Sequence, residues 1–146
     1  MEREINDTEE LRRWFRQCPV LNPTNKFGVD YLPETTTEYA IYSSPTTIRT
    51  HQNILDETVL SDMQELNFIF AAKVDFGNDV KHNLANLAFF QSVCAWVVIQ
   101  NNNKNFPAIR EGKVQSLVPT LTAYPAEVGP SAAKYQIQLK LTYRRL

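Results

Sequence analysis

The stretch His82–Asn103, HNLANLAFFQSVCAWVVIQNNN, holds no Lys, Arg, Asp or Glu in a chain that is 21% charged. Projected at about 100° per residue, Leu84, Leu87, Ala88, Ala95, Val98 and Ile99 form one stripe. Phe90, Val93 and Val97 lie roughly opposite, with Phe89 and Trp96 on one flank. A helix backed by water needs one apolar stripe, and this one carries two. Crossing a membrane takes about 20 mostly apolar residues, and Asn83, Asn86, Gln91 and Ser92 interrupt the run. The expectation is a soluble helix over about 79–101 with one face on the chain's own sheet. The other face meets either a short N-terminal helix or a copy of the same protein. Phe89, Phe90, Trp96 and Val97 are expected on the outer face, near a subunit boundary.

Working outward, QELNFIFAAKVDF (64–76) alternates Leu66, Phe68, Phe70 and Ala72 against Asn67 and Lys73, a strand that Gly77 ends before Asp79 caps the helix. KYQIQLKLTYR (134–144) alternates more cleanly still. Tyr135, Ile137, Leu139, Leu141 and Tyr143 face one way, and Gln136, Gln138, Lys140 and Thr142 the other. Between them, Pro119 inside VQSLVPTLTAY places that strand at a sheet edge or on a bulge, and Gly129-Pro130 turns. Upstream, TEYAIYS (37–43) is a strand with Tyr39 and Ile41 on one face, and a brief strand is expected near Val29–Leu32. Residues 44–62 read as an extended hairpin arm or a loop. Asp7 and Glu10 have capping-box spacing ahead of Leu11, Trp14 and Phe15, a helix that Pro19 ends. These elements predict one α+β domain, 1–146, without internal repeats: an antiparallel sheet of about four to five strands against one long central helix, plus a short N-terminal helix.

Composition narrows the function. A net charge of −1 and a pI near 6.1 give no steering toward nucleic acid or an anionic membrane. MEREINDTEE is charged from residue 2, so no signal peptide and a reducing cytoplasmic origin are expected. Cys18 and Cys94 belong to no metal-spaced cluster, and Cys94 reads as a small buried hydrophobe. His51 and His82 form no metal pair, and four glycines leave no phosphate loop. No GxSxG is present, and the acids Asp56 and Glu57 sit in no apolar setting that would shift a carboxylate. No catalytic residue, metal or cofactor is expected. Tyr31, Tyr39 and Tyr42 are core residues or, alternatively, the lining of an aromatic pocket in a ligand-binding or acyl-transfer domain using His51 or His82. Asp56, Glu57, Asp62 and Glu65 make an acidic run, and Arg144 and Arg145 a small basic tail. The run reads as a solvated acidic surface or as a patch for a basic partner, and Asp56, Glu57, Asp62, Arg144 and Arg145 are candidate polar contacts between subunits.

The order of ELRRWFRQCPVL, VDYL, TEYAIYSSP, FIFAAKVDF, NLANLAFFQSVCAWVVIQ and KYQIQLKLTYRRL resembles a family of small phage proteins. These are the tail terminator or minor capsid (head–tail joining) proteins of Gram-positive phages, prophages and phage-tail-like bacteriocin particles. The resemblance implies a structural virion protein, not an enzyme, made in the host cytoplasm. It implies a ring, typically hexameric, that caps the head-proximal end of the tail tube and stops its growth. Its partners would be its own copies, the tube protein, and also the sheath protein and the head–tail connector. Another head-completion role on the same fold is the near alternative. The chain departs from the pattern at 50–62 (THQNILDETVLSD), where a glycine-containing turn is expected and Asp56-Glu57 stands instead.

Overall fold

Period-two alternation in the two longest apolar strands builds the frame. The computed structural model describes residues 7–21, 27–29, 39–75, 80–110, 112–128 and 132–145. They form helix α1 (Asp7–Phe15), strands β1 (Phe27–Val29), β2 (Tyr39–Ser44), β3 (Thr50–Gln52), β4 (Thr58–Leu60) and β5 (Met63–Asp75), helix α2 (Val80–Asn102), and strands β6 (Gly112–Val128) and β7 (Ala132–Arg145). β5 and β7 pair antiparallel from Met63↔Arg144 to Asp75↔Ala132. Parity then sorts the side chains: Phe68, Phe70 and Ala72 lie beside Leu139, Ile137 and Tyr135 on one buried face. The other face carries Asn67, Ile69 and Lys73 beside Lys140, Gln138 and Lys134. β2 extends the sheet antiparallel to β5, with Tyr39 and Ile41 on the buried face, and β1 joins β2 in parallel. The main sheet runs β1-β2-β5-β7-β6, and β3 and β4 form a separate two-stranded arm.

The chain is thus a mixed α and β protein on a mostly antiparallel sheet. The expected four to five strands undercount it, because the arm adds two to the five of the main sheet. Nor does the long helix cover the sheet alone. α1 lays Leu11, Trp14 and Phe15 on the same face, with Phe15 stacked on Phe70 at 5.0 Å. The Asp7 carboxylate, expected to cap its own helix, accepts the Arg110 N–H at 2.8 Å and so ties α1 to the segment before β6. Of the short strand expected near Val29–Leu32, β1 supplies the start; residues 30–32, Gly77, Asp79 and Gly129-Pro130 lie outside the described residues.

The two stripes of α2 are present, but their assignment is reversed. Phe90, Val93 and Val97 are fully buried, and Phe90 stacks on Tyr135 at 5.1 Å. Phe89 lies over Tyr39 at 6.3 Å, and Trp96 meets Trp14 at 4.6 Å. Phe89, Phe90, Trp96 and Val97 therefore face the core, not a subunit boundary. The reason is area. Fully burying a large apolar side chain is worth about 1.5–3 kcal/mol, and ring pairs add about 0.5–1.5 kcal/mol each. The aromatic side goes inward, while Leu84, Leu87, Val98 and Ile99 stay outside. α1 closes the Trp96 flank and leaves that outer stripe bare. By length and composition Leu84–Asn102 would suffice to cross a membrane; here its inner side is packed on the chain's own sheet, and the Asn101 side chain accepts the Leu117 N–H of β6 at 3.1 Å.

β6 is both an edge strand and a bulged one, as Pro119 requires. Its register with β7 shifts four times, once between Pro119 and Leu121. It starts at Gly112, where a methyl group would collide with the Arg144 carbonyl and the Tyr143 ring, so glycine lets the two strands approach. Phe90→Ala should lower stability to urea by about 3–5 kcal/mol, whereas Leu84→Gln should change that of the isolated chain by less than about 0.5 kcal/mol. Equal losses would return the aromatic stripe to the outer face.

Candidate functional site

The arm begins where an inward slot of β5 is filled by an amide. Gln64 has the parity of Leu66, Phe68 and Phe70, and only 5% of it is exposed. Its Oε1 accepts the Arg49 N–H at 3.0 Å, and its Nε2 donates to the carbonyls of Arg49 (2.7 Å) and Ser61 (2.9 Å). Ser61 N–H also donates to Arg49 O at 3.0 Å. One buried side chain thus holds both ends of the arm, with its polar groups satisfied. This residue was missed in the sequence; its signal is a polar side chain on the apolar parity of a core strand.

The tip replaces the absent glycine with two local devices. Asn53 Oδ1 accepts the N–H groups of Leu55 (2.9 Å) and Glu57 (3.0 Å), an Asx turn. Asp56 N–H donates to Asn53 O at 3.0 Å, and Asp56 itself takes φ 62°, the left-handed position that glycine fills in hairpins of this length. Asp tolerates that region better than most side chains. Along the strands β3 and β4, only Val59 is even half-buried. Ile54 and Leu55, at the tip, are 102% and 73% exposed.

The candidate contacts now have places. Asp56 and Glu57 are at the tip, and Asp62 is at the base, where its carbonyl accepts the Arg145 N–H at 2.8 Å. The Arg145 guanidinium donates to Leu60 O at 3.3 Å, so the basic tail secures the arm of its own chain. Arg144 is exposed at the neighbouring position. Glu65 sits between the Arg49 guanidinium and Lys140, the latter at 3.4 Å. A cavity of about 380 Å³ between arm and sheet is lined by Thr46, Ile48, Leu60, Glu65, Tyr143 and Arg145 among others.

The aromatic pocket weighed as an alternative does not assemble from the described residues. Tyr39 is in the core, Tyr42 is on the opposite face under the Lys134 ammonium at 4.7 Å, and Tyr31 lies outside them. His51 is exposed on the arm, 3.2 Å from the Ser61 hydroxyl, and the His82 side chain is outside the described set. Burial pushes both the Cys18 and the Cys94 thiol up, Cys18 against the pull of backbone hydrogen bonds at Val20 and Leu21. Among the described residues no group of acids, histidines and cysteines gathers as metal ligands. What the geometry does collect is uncovered aliphatic surface, at the arm tip and along the outer face of α2.

No family model matches the chain, and no curated protein matches it. Gln64→Leu should free the arm at a cost of about 1–3 kcal/mol, because the Arg49 and Ser61 backbone groups lose their partners. Hydrogen exchange should then speed up at Arg49 while Phe70, deep in β5, keeps its protection. Unchanged exchange at Arg49 would remove the clamp role.

Proposed function

We propose that this chain is a structural, non-enzymatic subunit that closes into a ring with its own copies and, as the resemblance implies, caps the head-proximal end of a phage tail tube. The observation that carries the reading is the outer face of α2. Leu84 and Ile99 are 60% and 53% exposed, Leu87 and Val98 are also open, and no charge interrupts the segment. An uncovered aliphatic stripe of this kind, interrupted by Gln91, supports a surface that another molecule covers.

Further support comes from the α+β frame with its long helix, from a net charge of −1 that lets copies approach without strong repulsion, and from an arm with an aliphatic tip. In this reading the ring ends tube growth, and sheath growth where there is a sheath, and offers the connector a flat surface. It resides in the virion or tail-like particle after assembly in the host cytoplasm, with no cofactor.

Negative-stain electron microscopy of the chain, alone and mixed with isolated tail tubes, tests this directly. Closed rings or caps on one tube end are expected, and Leu84→Lys with Ile99→Lys should abolish them without unfolding the chain. A wild-type chain that stays monomeric and ignores tube ends would overturn the proposal.

A further inference from the structure

Among the described residues, two non-glycine side chains sit at positive φ, and they carry opposite charges: Asp56 at 62° and Lys104 at 58°. Asp56 occupies the glycine position of the arm turn. Lys104 occupies the glycine position of a helix end: Asn105 N–H donates to Gln100 O (2.9 Å) and Lys104 N–H to Asn101 O (3.1 Å), the paired bonds that close α2. Glycine would relax the backbone at both places, yet both hold a charged side chain. Strained positions of this sort cluster where a side chain has a further task.

Each charge borders apolar surface. Asp56 follows Ile54 and Leu55, the two bare aliphatic side chains of the tip, and precedes Glu57. Lys104 stands on the rim of a hollow of about 260 Å³ whose buried wall is Pro107, Ile109 and Val114 and whose second cation is Lys113. Among the described residues neither lysine is in an ion pair. The hollow follows directly on the C-terminal end of the bare α2 face. Tip and hollow thus match in both respects, aliphatic to aliphatic and two carboxylates to two ammonium groups.

Their placement favours a contact between copies. The arm is inserted between β2 and β5, while the hollow opens beside β6, the edge strand two places from β5. Both lie at one end of that sheet, since Met63 pairs with Arg144 and Gly112 with Arg145. The tip does not fold back onto its own hollow, because Ile54 is wholly exposed. Two different patches of one subunit are what a head-to-tail ring contact uses.

We propose that the arm tip of one copy seats in the hollow of the next, with Ile54 and Leu55 against Pro107 and Ile109, Asp56 beside Lys104, and Glu57 toward Lys113. The proposal rests on the self-assembly reading and names the contact that makes it directional. Lysine at a helix C-terminus also complements the helix dipole, so glycine variants separate the local role from the intersubunit one.

Sedimentation velocity, alone and with tail tubes, should show association weakened at least tenfold by Asp56→Gly and by Lys104→Gly, while each variant resists urea at least as well as the parent. Asp56→Lys and Lys104→Asp should each abolish assembly, and the double variant should restore it. If the wild type assembles and all these variants assemble equally well, the arm contact is wrong and the self-assembly reading stands. If the wild type never assembles, both fall.

Discussion

Because β5 and β7 pair without interruption over thirteen residues, every other feature inherits their parity. A slip of one residue would turn Phe68, Phe70, Ile137 and Leu139 toward the polar face and put lysines and glutamines under the helices. That penalty locks the register, and the locked register builds one large apolar face with Tyr135 and Phe70 near its middle. Both helices then compete for a fixed area. The same parity carries Gln64 into an inward slot beyond the reach of the helices, where its amide finds backbone partners in the arm. The core and the arm are therefore anchored by one strand pair.

Much of this was legible in the sequence, because alternation and helical period are local signals. The long strands, the edge character of β6 at Pro119, and the existence of two stripes on α2 all follow from residue spacing. Which stripe turns inward did not follow. Spacing identifies faces, but the choice between them depends on what they meet, and Trp96 is drawn inward by Trp14, 82 positions earlier in the chain and 4.6 Å away. The Asp7 carboxylate is a similar case: helical spacing points to a local role, and its bond to a backbone N–H 103 residues away is one that spacing does not show. In both, the partner lies far along the chain.

The arm was half legible for a different reason. Its short strands have no clean alternation because neither face is buried, so the hydrophobic pattern that reveals other strands is missing. Its turn also lacked the expected glycine. The structure supplies the compensation in Asn53, whose side chain bonds two backbone N–H groups, and in Asp56, which accepts the left-handed conformation. A hairpin that forgoes glycine and shows Ile54 and Leu55 to water is not optimised for an isolated chain. That composition fits the proposed contact, in which a second copy covers the tip.

In the proposed ring, the edges of the main sheet would restrict how copies join. One edge, β1, spans three residues among those described. The other, β6, spans seventeen, and an exposed strand of that length would invite uncontrolled pairing. It is blunted instead: Pro119 and Pro125 lack the N–H that a partner strand would need, four register shifts bend it, and Asn101 occupies the Leu117 N–H. Strand addition is thereby suppressed at the β6 edge, while the outer face of α2 and the arm tip stay open. In the proposed assembly, the blunted β6 edge disfavours an open-ended mode, in which each added strand exposes a new edge, and leaves side-chain contacts that a closed ring can satisfy completely.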